Sequence, residues 1–214
     1  MPMKLDKREY RRIDAALMET RTADDGSMIV EGYATTFNQP YRLWGDKDIT
    51  VNEQVDRNAF NETDMSDVIM QYDHEGRVFA RIANGTLQLN VNDHGLHITA
   101  NLGGTAIGRQ LFEEIQGGYT NKMSFGFTVT GEEKKYTRDE NEHITVLRTI
   151  TKVGKLYDVS AVSLPANDAT EISSRTIGDG LIAEAMKEVQ AEEERQRKIG
   201  EIRNILRGEK TNEA

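Results

Sequence analysis

The sequence contains no cysteine, which excludes disulfide scaffolds, cysteine-ligated zinc sites and thiol catalysis together. A chain without thiols is consistent with a reducing compartment. Long apolar runs are also missing. None approaches the roughly 18 residues needed to cross a bilayer, and the opening Met1 to Arg8 has no apolar signal core. A soluble, cytoplasmic protein without a membrane partner is therefore expected. Positive charge is in deficit, with a net charge of -9, and this argues against a nucleic-acid partner, which would need a basic surface. Apolar residues make up only 37% of the 214, low for a compact globule, so part of the chain should be extended or poorly buried. No internal repeat is apparent.

What is present begins with short alternating segments. Ile13, Ala15 and Leu17 alternate, as do residues of Met28 to Ala34, and Asp24-Asp25-Gly26 between them reads as the turn of a hairpin. Residues 38–66 look irregular. Val78 to Ala83, Thr86 to Val91 and Leu96 to Leu102, punctuated by Asn84-Gly85 and Asn92-Asp93-His94-Gly95, read as an antiparallel meander. Thr105 can cap a helix whose stripe is Ile107, Leu111, Phe112 and Ile115. A strand follows at Lys122 to Val129, with Met123, Phe125, Phe127 and Val129 on one face and Ser124, Gly126 and Thr128 on the other. Gly131 to Glu142 is charged and reads as a hairpin tip. Ile144 to Val153 and Leu156 to Leu164 complete the strands, stopped by Pro165-Ala166-Asn167. From about Asp179 the composition turns to a charged helix.

Few residues suggest chemistry by themselves. Gly103-Gly104-Thr105-Ala106-Ile107-Gly108 has glycines spaced like a phosphate loop, but Arg109 and Gln110 stand where Lys and Ser/Thr are required. His94 and His97 fall on opposite faces of a strand, His143 lies in a charged loop, and no HExxH pair occurs, so neither metal nor cofactor is expected. His74 ends an apolar run between Asp73 and Glu75. It can be a surface turn residue or a base over a partly buried site. Ser124, taken alone, reads as an inert sheet serine, because a hydroxyl needs a base to become nucleophilic. Asp158, within Leu156-Tyr157-Asp158-Val159-Ser160, either faces water on an edge or orients an imidazole. Ser160 and Ser163 are rival hydroxyls.

Taken in order, several segments resemble the prohead (capsid maturation) proteases of tailed bacteriophages of the HK97-like type, which are distantly similar to the herpesvirus assemblins. They are Val30-Glu31-Gly32-Tyr33-Ala34 with Phe37-Asn38, Val55 to Phe60, Tyr72-Asp73-His74-Glu75, Lys122 to Phe127, and Leu156 to Asn167. The resemblance spans about residues 8 to 176. It implies a serine endopeptidase with Ser124 as nucleophile and His74 as general base. The third member is assigned to Asp158, where relatives often carry Glu. Assemblins use a second histidine instead, for which only His97 or His143 could substitute.

The implied fold is α+β: a small, mostly antiparallel β-barrel flanked by helices, with a charged C-terminal helix. Residues 1–178 would form the protease domain and residues 179–214 the tail. The implied partners are the major capsid protein with its scaffold segment, or a separate scaffold protein, inside the assembling prohead. Self-cleavage and self-association are implied as well. The alternative from another class is a non-enzymatic β-barrel that binds capsid or scaffold.

Overall fold

The computed structural model describes residues 8–163 and 168–206. In chain order the strands are β1 (Glu9–Leu17), β2 (Glu19–Thr22), β3 (Met28–Thr36), β4 (Tyr41–Gly45), β5 (Ile49–Val55), β6 (Ile69–Tyr72), β7 (Glu75–Arg81), β8 (Leu87–Val91) and β9 (Gly95–Asn101). Helix α1 (Ala106–Gln116), the long strands β10 (Lys122–Arg138) and β11 (Ile144–Val162), and helix α2 (Asp168–Leu206) follow.

β11 is the trunk of the molecule. Its first half pairs in parallel with β5, its second half in parallel with β6, and β10 runs antiparallel along its other side. The resulting mixed sheet has the order β1-β10-β11-β5-β4, with β6 attached to β11 and β7 to β6. A second sheet has the order β2-β3-β9-β8. One apolar cluster joins the two, with Val30, Ala34 and Ile98 from one sheet and Met70, Phe125, Phe127 and Val159 from the other. Leu111, Phe112 and Ile115 of α1 complete it, as the helical stripe predicts. Thr105 caps that helix, its Oγ1 accepting from the Gly108 amide at 3.0 Å.

Several expectations need correcting. The architecture is α+β, but among the described residues no ladder joins the two sheets into a closed barrel. The Asp24-Asp25-Gly26 turn joins β2, not the Ile13-to-Leu17 strand, to β3; Gly26 supplies the positive φ of 82°. β1 instead pairs with β10, because the chain crosses between sheets after Leu17. The Val78 segment leaves the expected meander and forms a hairpin with β6, so only β8 and β9 keep that pairing.

The charged stretch from Gly131 is largely strand rather than tip. β10 continues to Arg138 because Ile144 to Ile150 lies opposite and satisfies its backbone. The C-terminal helix begins at Asp168, upstream of the composition change near Asp179. The Leu164-Pro165-Ala166-Asn167 stop and the end of the tail lie outside the described residues. No helix among the described residues is long and apolar enough to cross a membrane.

β1, β5 and β11 are bound together by a buried charge cluster. Glu53 is fully buried, and its Oε2 accepts from Arg148 Nη1 at 2.6 Å and from Arg11 Nη2 at 3.1 Å. Glu9 also takes both arginines, and the Tyr41 hydroxyl donates to Glu53 Oε1. Burial alone would raise the Glu53 pKa, but Arg11 and Arg148 overcome it and hold the carboxyl below its ordinary range.

A depressed folded pKa means that this contribution is present above the unfolded carboxylate pKa. It is lost as pH falls through the lower folded value. Glu53→Gln leaves two buried guanidinium groups short of charge compensation and is expected to cost about 3–5 kcal/mol. Urea unfolding should show it as a lower midpoint at an unchanged slope, with the gap to the unaltered chain narrowing on acidification.

Candidate active site

Ser124 sits on β10 between two neighbours, opposite Ser160 of β11 and Arg12 of β1. Met123, Phe125 and Phe127 are all completely buried and fix the strand in the core. That pins the register, since a slip of one residue would turn Ser124 to the other face.

His74 arrives from the β6–β7 hairpin. Tyr72 pairs with Glu75, so the turn consists of Asp73 and His74, both left-handed at φ 48° and 62°. Two consecutive positive-φ residues are what a tight turn of the type I′ class requires. Non-glycine residues enter that region infrequently, although Asp and His are enriched among those that do, and surrounding contacts help hold the turn there. The Asp73 amide donates to the Ala161 carbonyl at 3.0 Å, and the Tyr72 hydroxyl donates to Ser163 Oγ at 2.8 Å.

The three candidate residues come together although 50 and 84 positions separate His74 from the others. His74 Nε2 lies 2.6 Å from Ser124 Oγ, and Nδ1 lies 2.5 Å from Asp158 Oδ1. Asp158 is completely buried on a strand paired on both sides, so the water-facing alternative does not apply. Ser160, a rival hydroxyl in the sequence, instead donates to Asp158 Oδ1 at 2.8 Å. The Arg8 guanidinium pairs with Oδ2. His97 packs on the Tyr33 ring and His143 bonds to Thr50 and the Lys47 carbonyl, so each is engaged elsewhere.

With a serine, an imidazole and a buried carboxylate in line, comparison with known proteins becomes informative. The Caudovirus prohead serine protease family matches residues 16–189. The chain belongs to this family. It is thus a serine protease of prohead maturation, and the non-enzymatic reading falls away. Among solved structures it is similar to the capsid assembly protease of bacteriophage T4. That likeness has 13% identity and a TM-score of 0.42, covering 74% of this chain and 97% of the other. The curated proteins give no match.

Gly126 of the protease has a specific task that the sequence alone does not disclose. It lies opposite Asp158, and a Cβ built there would come within 2.4 Å of Asp158 Oδ2 and 2.9 Å of Tyr10 Cε1. The missing side chain is the space the carboxylate occupies. Gly126→Ala is expected to push Asp158 off His74 and lower kcat about 100-fold, the scale of an ångström-sized misplacement. Steady-state kinetics beside a thermal melt checks this, because a general packing defect would lower the melting temperature without singling out kcat.

One glycine of the phosphate-loop-like segment has a packing role. A Cβ on Gly108 would meet the Leu102 carbonyl oxygen at 2.2 Å, so that glycine lets α1 approach the end of β9. The contacts that β1 and the residue before it make with the site, through Arg8, Tyr10 and the Arg11 carbonyl, escape sequence reading. Their only local signal is a polar and aromatic alternation at the very start of the chain.

Proposed function

We propose that Ser124 is the nucleophile of this prohead protease, His74 its general base and Asp158 the carboxylate that orients and charge-balances the imidazole. The observation that carries this reading is the unbroken chain Ser124 Oγ–His74 Nε2–Asp158 Oδ1, with contacts of 2.6 and 2.5 Å. As Oγ attacks the scissile carbonyl carbon, its proton passes to Nε2, and Asp158 stabilises the imidazolium that forms. The C–N bond breaks as Nε2 returns the proton to the leaving amine. Water, deprotonated by the same nitrogen, then releases the acyl group. Asp158 holds Nδ1 as the protonated nitrogen throughout, which keeps Nε2 free to accept.

The substrates in this reading are the scaffold segment of the major capsid protein, or a separate scaffold protein, within the immature head, and the protease itself. Confinement raises the effective concentration of both, so a modest rate suffices. A recess of about 400 Å³ beside the His74 hairpin, with Tyr72, Phe79, Ile107 and Leu111 as apolar walls and Glu75 and Glu114 at its polar side, suits a substrate side chain near the scissile bond.

The test is co-expression with the capsid protein, read by intact mass. Trimming of capsid protein and protease should vanish in Ser124→Ala and in His74→Ala. Identical fragments in both variants would defeat the assignment.

A further inference from the structure

The Ser160 hydroxyl plays no part in the proton transfers of the reaction, yet it touches the acid directly. Asp158 and Ser160 are two apart on β11 and therefore share one face of that strand. Val159 between them is completely buried on the other face and anchors the strand. Asp158 stands opposite Gly126 of β10 and Ile69 of β6, and Ser160 opposite Ser124 and Gln71. Both residues are 0% exposed, Ser124 is 2% exposed, and the His74 side chain is 7% exposed. At that depth bulk solvent offers no substitute for a lost donor.

The hydrogen bonds of Asp158 are divided between its two oxygens. Oδ1 faces His74 Nδ1 at 2.5 Å and accepts from Ser160 Oγ at 2.8 Å. Oδ2 pairs with Arg8, whose side chain is 34% exposed and comes from 150 positions away. A carboxylate oxygen has two lone pairs, so His74 and Ser160 together fill Oδ1. Rotating the carboxyl group would break both bonds at once. The other side is set by volume, since Oδ2 lies 2.4 Å from where a Gly126 Cβ would stand. Gly126 gives the carboxyl group room, and room by itself does not choose an orientation. Ser160 supplies the directional contact that does.

Resting on the catalytic reading above, we propose that Ser160 is a positioning residue of the protease. It holds Oδ1 of Asp158 on Nδ1 of His74, and so keeps Nε2 aimed at Ser124 Oγ, without touching substrate. A carboxyl group free to turn would carry the imidazole with it, and an ångström-sized displacement of the base lowers the rate steeply. The Arg8 contact draws on the opposite oxygen, so it does not reinforce the pairing with His74. Ser160 is not a second nucleophile, because its one hydroxyl proton is directed at an acid rather than at a base.

The test measures kcat and KM with a capsid-derived peptide, beside thermal midpoints, for Ser160→Ala, Asp158→Asn and the double variant. Ser160→Ala is expected to lower kcat about tenfold, the scale of one hydrogen bond to a charged group, with KM nearly unchanged. In the Asp158→Asn background the same change should cost almost nothing, because the carboxylate it acts on is gone. Ser160→Cys fills the space with a weaker donor and should lose nearly as much as alanine. Three results overturn the proposal: an unaltered kcat in Ser160→Ala, an equal loss in both backgrounds, or the full rate in Ser160→Cys. The last two would make Ser160 a packing residue. Near-normal kcat in Asp158→Asn, with Ser124→Ala inactive, would instead strike the acid assignment and this proposal with it, a failure distinct from that of Ser160 alone.

Discussion

Ser124→Ala, His74→Ala and the double variant are expected to lose nearly the same activity, about 10⁴- to 10⁶-fold in kcat. The equality is the informative part. If Ser124 Oγ attacks only after His74 Nε2 takes its proton, removing either partner removes the same step, and removing both costs little more. Two residues contributing independently would multiply their losses. Wild-type rates with a capsid-derived peptide, set beside the three variants at one pH, decide between these outcomes. If the recess beside the hairpin holds a substrate side chain, binding should change far less, because neither residue lines it. A double variant much slower than either single one would show that Ser124 and His74 do not act as a unit.

Asp158→Asn should lower kcat about 10⁴-fold while leaving the fold intact. The change is nearly isosteric, so Gly126 still makes room for the side chain, and Ser160 Oγ, which donates to Oδ1, can turn to accept from an amide nitrogen in that place. What changes is the charge and one donor: an amide facing Nδ1 favours the wrong tautomer, and nothing balances the imidazolium. Asp158→Glu, the residue that relatives of the resembling type often carry, tests reach rather than charge. In the space left by Gly126 it should recover part of the rate, whereas Asn should not. The measurement is kcat for both variants with their thermal midpoints. Near-normal kcat in Asp158→Asn would pass the third role to another group.

The buried cluster around Glu53 and the closed site depend on the same strand. Glu9 and Arg11 point one way from β1 into the charge cluster, while Tyr10 and Arg8 reach the other way to His74 and Asp158, as alternation along a strand dictates. The charge cluster fixes the strand in place, and the strand then closes the site.

Much of this was readable in the linear chain. Alternation around Ser124 gave its strand and the two faces, Thr105 and the Ile107-to-Ile115 stripe gave α1, and the ordered His, Ser and Asp segments carried the family resemblance. Local physics could not choose between a turn histidine and a base, or between an edge aspartate and a buried one. Those choices depend on partners 50 and 84 positions away, and no window of sequence contains them.

The sequence by itself determined the apolar periodicities, the absence of thiol chemistry and the residues able to do acid–base work. Only the tertiary structure decided that β11 pairs in parallel with both β5 and β6, and that pairing brings the His74 turn over Ser124. It also decided that Gly126 is empty so that Asp158 can fit, and that β1 lies across all three residues. The physical reason is the same in each case. Periodicity fixes which face a side chain takes, whereas long-range pairing and the volume left by a neighbour fix what it meets there.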